Sequence, residues 1–186
     1  MRVSRRTRET KIDLTVNIYG KGELSGETGL TFFDHMLRTL VFYSGMDLKV
    51  EAEWDLSHHL IEDLMYLLGS SISKSLGERR GIARYGWSAI PMDESLVLTS
   101  VDLGGRPYFV DNLPSGLVEG VSVRDLMHGI ESLARGALAT VHVVSLRGDN
   151  LHHLVEASFK SLGASLKQAL QRVDGIISTK GVIDVG

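Results

Sequence analysis

The feature that most constrains this chain is a motif that occurs twice. His58-His59-Leu60-Ile61-Glu62 returns as His152-His153-Leu154-Val155-Glu156, each copy at the start of a stretch with helical spacing. The likeness runs on downstream, where Leu68-Gly69-Ser70-Ser71 and Leu162-Gly163-Ala164-Ser165 stand at the same offset from their motifs. It also runs upstream, because His35 lies 23 residues before His58 and His128 lies 24 residues before His152. A single one-residue gap therefore aligns four landmarks of two half-chains, and an internal duplication is the simplest cause.

Helical geometry gives the motif its chemistry. Successive residues are about 100° apart, so the first His and the Glu four positions later share a face while the second His points elsewhere. Two donors on one face suit one metal ion, and the neighbouring imidazole is free for another. Six of the seven histidines, His35, His58, His59, His128, His152 and His153, fall on the repeated landmarks together with Glu62 and Glu156. Divided evenly, they make two sites of three imidazoles and one carboxylate, with coordination positions left open. Such donors accept zinc, copper, iron, nickel or manganese, so ligand type does not name the ion. His142 lies outside the landmarks and reads as a structural histidine.

In order, residues 1–8 carry Arg2, Arg5, Arg6 and Arg8 and read as a solvated basic arm. Ile12, Leu14, Val16 and Ile18 alternate with polar residues, which predicts a half-buried strand; Gly20-Lys21-Gly22 predicts a hairpin turn into a second strand over 24–28. A helix over 32–41 carries His35, a strand follows over 48–54, and the first histidine-pair helix runs to about Leu76. In the second half, extended segments over 82–90, 95–103 and 107–110 precede a helix over 123–138 that carries His128, a strand over 141–146 and a long helix over 152–173. The strongest punctuation between the halves is Gly77-Glu78-Arg79-Arg80-Gly81. This order predicts the α+β class: two pseudo-repeated halves, about 1–78 and 79–175, each a small β-sheet with two helices on one face, packed as a sandwich.

Composition excludes several function classes. The 43% hydrophobic content suits one domain or two fused halves with a shared core. No apolar run approaches the roughly 18 residues of a spanning helix and no secretory pattern opens the chain, so a cytoplasmic protein without a membrane partner is expected. Without cysteine there is neither thiolate ligand nor thiol nucleophile. A net charge of −3 and 6% aromatic residues argue against nucleic acid as a partner.

Further stretches carry a family resemblance: Arg5-Arg6-Thr7-Arg8-Glu9-Thr10, Thr28 to Leu37, both histidine pairs, Gly81-Ile82-Ala83-Arg84-Tyr85-Gly86, Pro91-Met92-Asp93-Glu94, Gly105-Arg106-Pro107, Phe159-Lys160 and Ser178-Thr179-Lys180-Gly181. Over nearly its full length the chain resembles the imidazoleglycerol-phosphate dehydratases of histidine biosynthesis. The resemblance implies a hydro-lyase, of ribosomal protein S5 domain 2-like fold, that converts imidazole glycerol phosphate to imidazole acetol phosphate. That dehydration lacks a carbonyl to acidify the C–H bond, and an imidazolate held between two metal ions can supply the electron sink. It implies two manganese ions per active site on His35, His58, His59, Glu62, His128, His152, His153 and Glu156, proton transfer by Glu9, and phosphate binding by Arg84, Arg106, Lys160, Ser178 and Lys180. It also implies a homo-oligomer of twenty-four subunits with sites at subunit contacts, and a substrate-binding tail over 176–186.

Where this chain departs from the family pattern, Trp54-Asp55-Leu56-Ser57 is shorter than the usual acidic stretch ending in two aspartates. An acid that orients His58 or His59 is expected to be missing there. Ser44 stands for a usual histidine and Gly104 for a usual serine. Two other readings fit the metal spacing: a dinuclear hydrolase, and a non-catalytic assembly protein tied together by metal. The basic residues and Glu9 weigh against both.

Overall fold

The computed structural model describes residues 1–179 and 181. The expected basic arm is instead an edge strand, β1 (Arg2–Arg6), paired antiparallel with β2 (Thr10–Asn17) from Arg2 opposite Thr15 to Arg6 opposite Lys11. Its arginines are held by carboxylates, Arg5 by Asp63 and Arg6 by Asp13. Charged side chains of this kind blunt an exposed sheet edge. On β2 the alternation does what the sequence predicts: Ile12, Leu14 and Val16 are buried on one face, and Lys11, Thr15 and Asn17 are exposed on the other.

Strand β3 (Leu24–Glu27) follows, then helix α1 (Thr31–Ser44), strand β4 (Asp47–Trp54) and helix α2 (Ser57–Leu76), giving a sheet of order β1-β2-β4-β3. The predicted hairpin does not form. β3 lies parallel to β4, Leu24 opposite Leu48, on the far side of that strand from β2. The cause is Asp47, whose Oδ1 accepts the amides of Lys21 (2.7 Å) and Glu23 (3.2 Å) and pulls the Gly20–Gly22 turn across the end of β4.

The second half repeats the plan. Strands β5 (Tyr85–Met92), β6 (Ser95–Asp102) and β7 (Tyr108–Asp111) are followed by a short hairpin the sequence reading missed, β8 (Leu117–Val118) and β9 (Val121–Ser122), then helix α3 (Val123–Ala137), strand β10 (Thr140–Arg147) and helix α4 (Leu151–Ala169). The order β5-β6-β10-β7 matches that of the first sheet position for position, including the final parallel pair. Helix α4 stops four residues short of the predicted Val173. The Ala169 and Gln171 carbonyls accept the amides of Arg84 and Ala83, which ties the chain after α4 to the start of β5.

The helices of the two halves pack on one another, α1 on α4 and α2 on α3, with α2 also on the first sheet and α4 on the second. The repeated glycines permit this. A Cβ on Gly69 would stand 2.2 Å from the Leu133 carbonyl oxygen, and one on Gly136 2.3 Å from that of Tyr66, so α2 and α3 approach backbone to backbone. Gly163 does the same for α4 against α1, where a Cβ would meet the Leu40 oxygen at 2.8 Å. Between the halves, Arg79 is 1% exposed. It donates to the carbonyls of Leu103 (2.9 Å) and Ala137 (2.8 Å) and to Ser73 Oγ (2.8 Å), joining the ends of β6, α3 and α2.

Candidate metal centre

Because each helix pair takes one member from each half, the landmarks meet across the halves. His35 on α1 faces His152 and Glu156 on α4: Glu156 Oε2 lies 3.2 Å from His35 Nε2 and 3.3 Å from His152 Nε2. One donor atom of each lies within 4.8 Å of the others, the spacing of donors around one ion. Two imidazoles and a carboxylate fit a divalent first-row ion with positions to spare. Asn150 sets the start of α4, its Oδ1 accepting the amides of His152 (3.0 Å) and His153 (3.3 Å). Glu156 Oε1 is 2.8 Å from Lys160 Nζ. Burial pushes the Glu156 carboxyl up, but the hydrogen bonds from Lys160 and His35 outweigh it and hold the group below the ordinary carboxylate range.

The pseudo-equivalent meeting is that of α3 with α2. His128 Nε2 lies 3.4 Å from Glu62 Oε2, and its Nδ1 3.2 Å from Glu131 Oε2. His58 is one helical turn before Glu62 on the same face, its ring 4.1 Å from that of His59. Surface clefts of about 510 Å³ beside Asp34, His35 and Arg38, and of about 520 Å³ beside Asp111, Arg124, His128 and Glu131, flank the two clusters.

The second histidines point elsewhere, as the helical period requires. Asp55 Oδ1 accepts from His59 Nδ1 at 2.7 Å, and Glu9 Oε2 lies 3.9 Å from its Nε2. The acid expected to be missing is therefore present, supplied one turn before His59. The hydrogen bond to Asp55 raises the His59 pKa, burial opposing it, and the same bond holds Asp55 low. His153 Nδ1 donates to Glu94 Oε2 at 2.9 Å, which lowers the Glu94 carboxyl to about 2, and Asp93 Oδ2 lies 3.7 Å from Nε2. Asp55, four residues before His59, and Glu131, three residues after His128, were findable from spacing, whereas the approach of Asp93 and Glu94 to His153 becomes visible only through packing. The Glu9 amide donates to Thr7 Oγ1 at 3.1 Å, and Asp63 binds Thr10 Oγ1 (2.5 Å) and Arg5 Nε (2.8 Å) on either side of that turn.

The expected phosphate-binding residues divide. Lys160 stands at the first cluster. Arg84 is held by Asp102 at 2.7 and 3.0 Å, which raises its pKa further, and its Nη1 donates to the Ile177 carbonyl at 2.8 Å. Gly104 makes room for that pair, since a Cβ there would fall 2.5 Å from Arg84 Nη2. Arg106 is exposed in the loop before β7, its carbonyl accepting from Thr140 Oγ1. Ser178 follows Ile177 directly, and Lys180 lies outside the described residues. His142 is exposed on β10, its ring 6.5 Å from that of Tyr108 and in neither cluster.

Two mixed sheets carrying interlocked helices, with His/Glu clusters where helices of different halves meet, define a class of α+β enzyme with a candidate metal centre. The imidazoleglycerol-phosphate dehydratase family model matches residues 28–166. The chain is 45% identical to the imidazoleglycerol-phosphate dehydratase of Chlorobaculum parvum, over 95% of this chain and 94% of the relative. It is 41% identical to that of Clostridium botulinum, over 98% and 97%. A crystal structure of the Pyrococcus furiosus enzyme in complex with (S)-C348 superposes with a TM-score of 0.87 at 39% identity, covering 97% of this chain and 99% of that one. The Staphylococcus aureus enzyme gives 0.83 at 30% identity, covering 93% and 99%. This chain belongs to the imidazoleglycerol-phosphate dehydratase family, and its activity is that family's hydro-lyase step in histidine biosynthesis. Among the described residues no helix is long and apolar enough to cross a membrane.

Proposed function

We propose that the chain dehydrates imidazole glycerol phosphate to imidazole acetol phosphate at a dinuclear centre whose donors are His35, His58, His59, Glu62, His128, His152, His153 and Glu156. The observation that carries this is the convergence of His35, His152 and Glu156 from two halves onto one point. When bound, two divalent ions, manganese in this reading, supply Lewis-acid stabilisation and a template for the imidazole of the substrate. The chain's own residues do the rest. Glu9, an exposed carboxylate on a turn that Asp63 anchors, takes the proton from the carbon beside the departing hydroxyl. Lys160 and Arg106 supply cationic donors for the phosphate. Arg84, already committed to Asp102, serves through Nη1, which holds the Ile177 carbonyl directly before Ser178.

His59 and His153 stand apart from both clusters within one chain. Their Nε2 atoms are therefore assigned to centres shared between copies, which makes the protein a homo-oligomer, twenty-four subunits in this reading, with active sites at subunit contacts. The halves 1–78 and 79–175 act as one domain, because each cluster draws on both.

The test is turnover of imidazole glycerol phosphate by metal-stripped protein titrated with manganese. Product should appear only as manganese is added, and His59→Ala or His153→Ala should abolish it. Tight metal binding without product would overturn the reading.

A further inference from the structure

His59 and His153 occupy repeat-equivalent positions, yet the carboxylates that hold them are not repeat-equivalent. Asp55, at 2.7 Å from His59 Nδ1, belongs to the turn between β4 and α2. Glu94, at 2.9 Å from His153 Nδ1, belongs to the turn between β5 and β6, 59 residues away in sequence. Asp149 stands where the repeat would place a second Asp55, but the capping oxygen at the start of α4 is that of Asn150. Glu94 directly precedes β6 as Glu9 directly precedes β2, and Glu9 is 3.9 Å from Nε2 of His59 rather than bonded to its Nδ1. Two different parts of the fold thus arrive at one arrangement, a carboxylate on Nδ1 of the second histidine.

That arrangement has a definite chemical content. An ionised carboxylate only accepts, so each Nδ1 carries a proton, and the neutral form of each ring keeps its lone pair on Nε2. The nearest carboxylates on the Nε2 side, Glu9 at 3.9 Å and Asp93 at 3.7 Å, are too far to accept a hydrogen bond from Nε2 and so do not draw the proton there. We propose that Asp55 and Glu94 are the positioning residues of His59 and His153, each fixing the tautomer and ring orientation that presents Nε2 as the donor to a metal ion. The proposal rests on the assignment of His59 and His153 as donors. Asp55 does this work in place of an acid adjacent to His58, which this chain lacks.

A second role for Asp55 has to be separated from the first, because its Oδ1 also accepts the Leu56 amide at 2.6 Å at the start of α2. Asp55→Asn retains an oxygen for that amide and removes the charge that polarises the imidazole. The experiment is calorimetric titration of metal-stripped Asp55→Asn and Glu94→Gln with manganese, beside thermal unfolding of the same metal-free proteins. Each variant should lose roughly 10–100-fold in manganese affinity, in one of the two binding phases, with metal-free unfolding unchanged. Excess manganese should restore turnover in Glu94→Gln, which a lost fold contact would not allow. Unchanged affinity in both variants, beside His59→Ala and His153→Ala proteins that no longer bind, would overturn the positioning role while the donor assignment stands. Unchanged affinity in the two alanine variants as well would overturn both.

Discussion

Lys160 Nζ lies 2.8 Å from Glu156 Oε1, on the carboxylate whose other oxygen sits between His35 and His152. At the second cluster the neighbour is of opposite sign, since Glu131 Oε2 stands 3.2 Å from His128 Nδ1. The two centres built by one repeat therefore differ in local charge.

Manganese should fill them unequally, the Glu62–His128 centre first. Partly exposed charge pairs are worth about 1 kcal/mol, so the gap should be roughly fivefold, and Glu131→Gln should narrow it. Calorimetric titration of stripped protein reads this directly; two equal sites in the parent protein would contradict it.

Arg79→Met should destabilise the protein by about 2–5 kcal/mol. It removes the donors of two buried carbonyls, Leu103 and Ala137, each costing about 1–3 kcal/mol when left unpaired. Arg79→Lys should not restore it, because one ammonium cannot span three acceptors on three elements. Urea unfolding decides the matter, and a loss under about 1 kcal/mol would show that water replaces the guanidinium.

Asp47 gives a pH-dependent contribution to stability. The Lys21 and Glu23 amides, with Asn17, hold its carboxyl below 3.8 against a smaller opposing effect of burial. A carboxyl lowered on folding stabilises above its unfolded value, about 3.9, and that stabilisation is lost as pH falls through the folded value. Urea midpoints measured between pH 5 and 3 should therefore fall less steeply in Asp47→Asn than in the parent protein. Equal slopes would mean that Asp47 does not hold the turn.

Gly69→Ala should cost about 1–3 kcal/mol, because its Cβ would stand 2.2 Å from the Leu133 oxygen and force α2 from α3. Gly136→Ala strains the same crossing, so the double variant should lose less than the sum of the singles. Full additivity in unfolding experiments would place the two strains at independent sites.

The strands and helices that carry the site were legible because burial alternates with period two along β2 and because the histidine pairs open long helical patterns. What the sequence could not show was which elements lie side by side. The Gly20–Gly22 turn reads as a hairpin until Asp47, from the next strand but one, takes up its amides. Arg2–Arg6 reads as a solvated arm because the strand it pairs with, and Asp63, which holds Arg5, are supplied by the fold and not by its own neighbours in sequence. The histidines and glutamates proposed as donors were legible as a repeated set, since helical spacing sorts first from second histidines. Their assignment to centres was not, because it follows from α1 meeting α4 and α2 meeting α3. Glu94 lies in a stretch that carries the family resemblance, but its place beside His153, 59 residues on, follows from packing alone.

That crossing yokes the halves together. A chain that kept its first half intact and lost helix α4 would retain His35 with nothing opposite it, and one that lost α1 would leave His152 and Glu156 equally idle. Neither half can drift toward a chemistry of its own, since every change on one side alters a centre the other side helps to build. The repeat presents each landmark twice, but the packing binds the two sets into one inheritance.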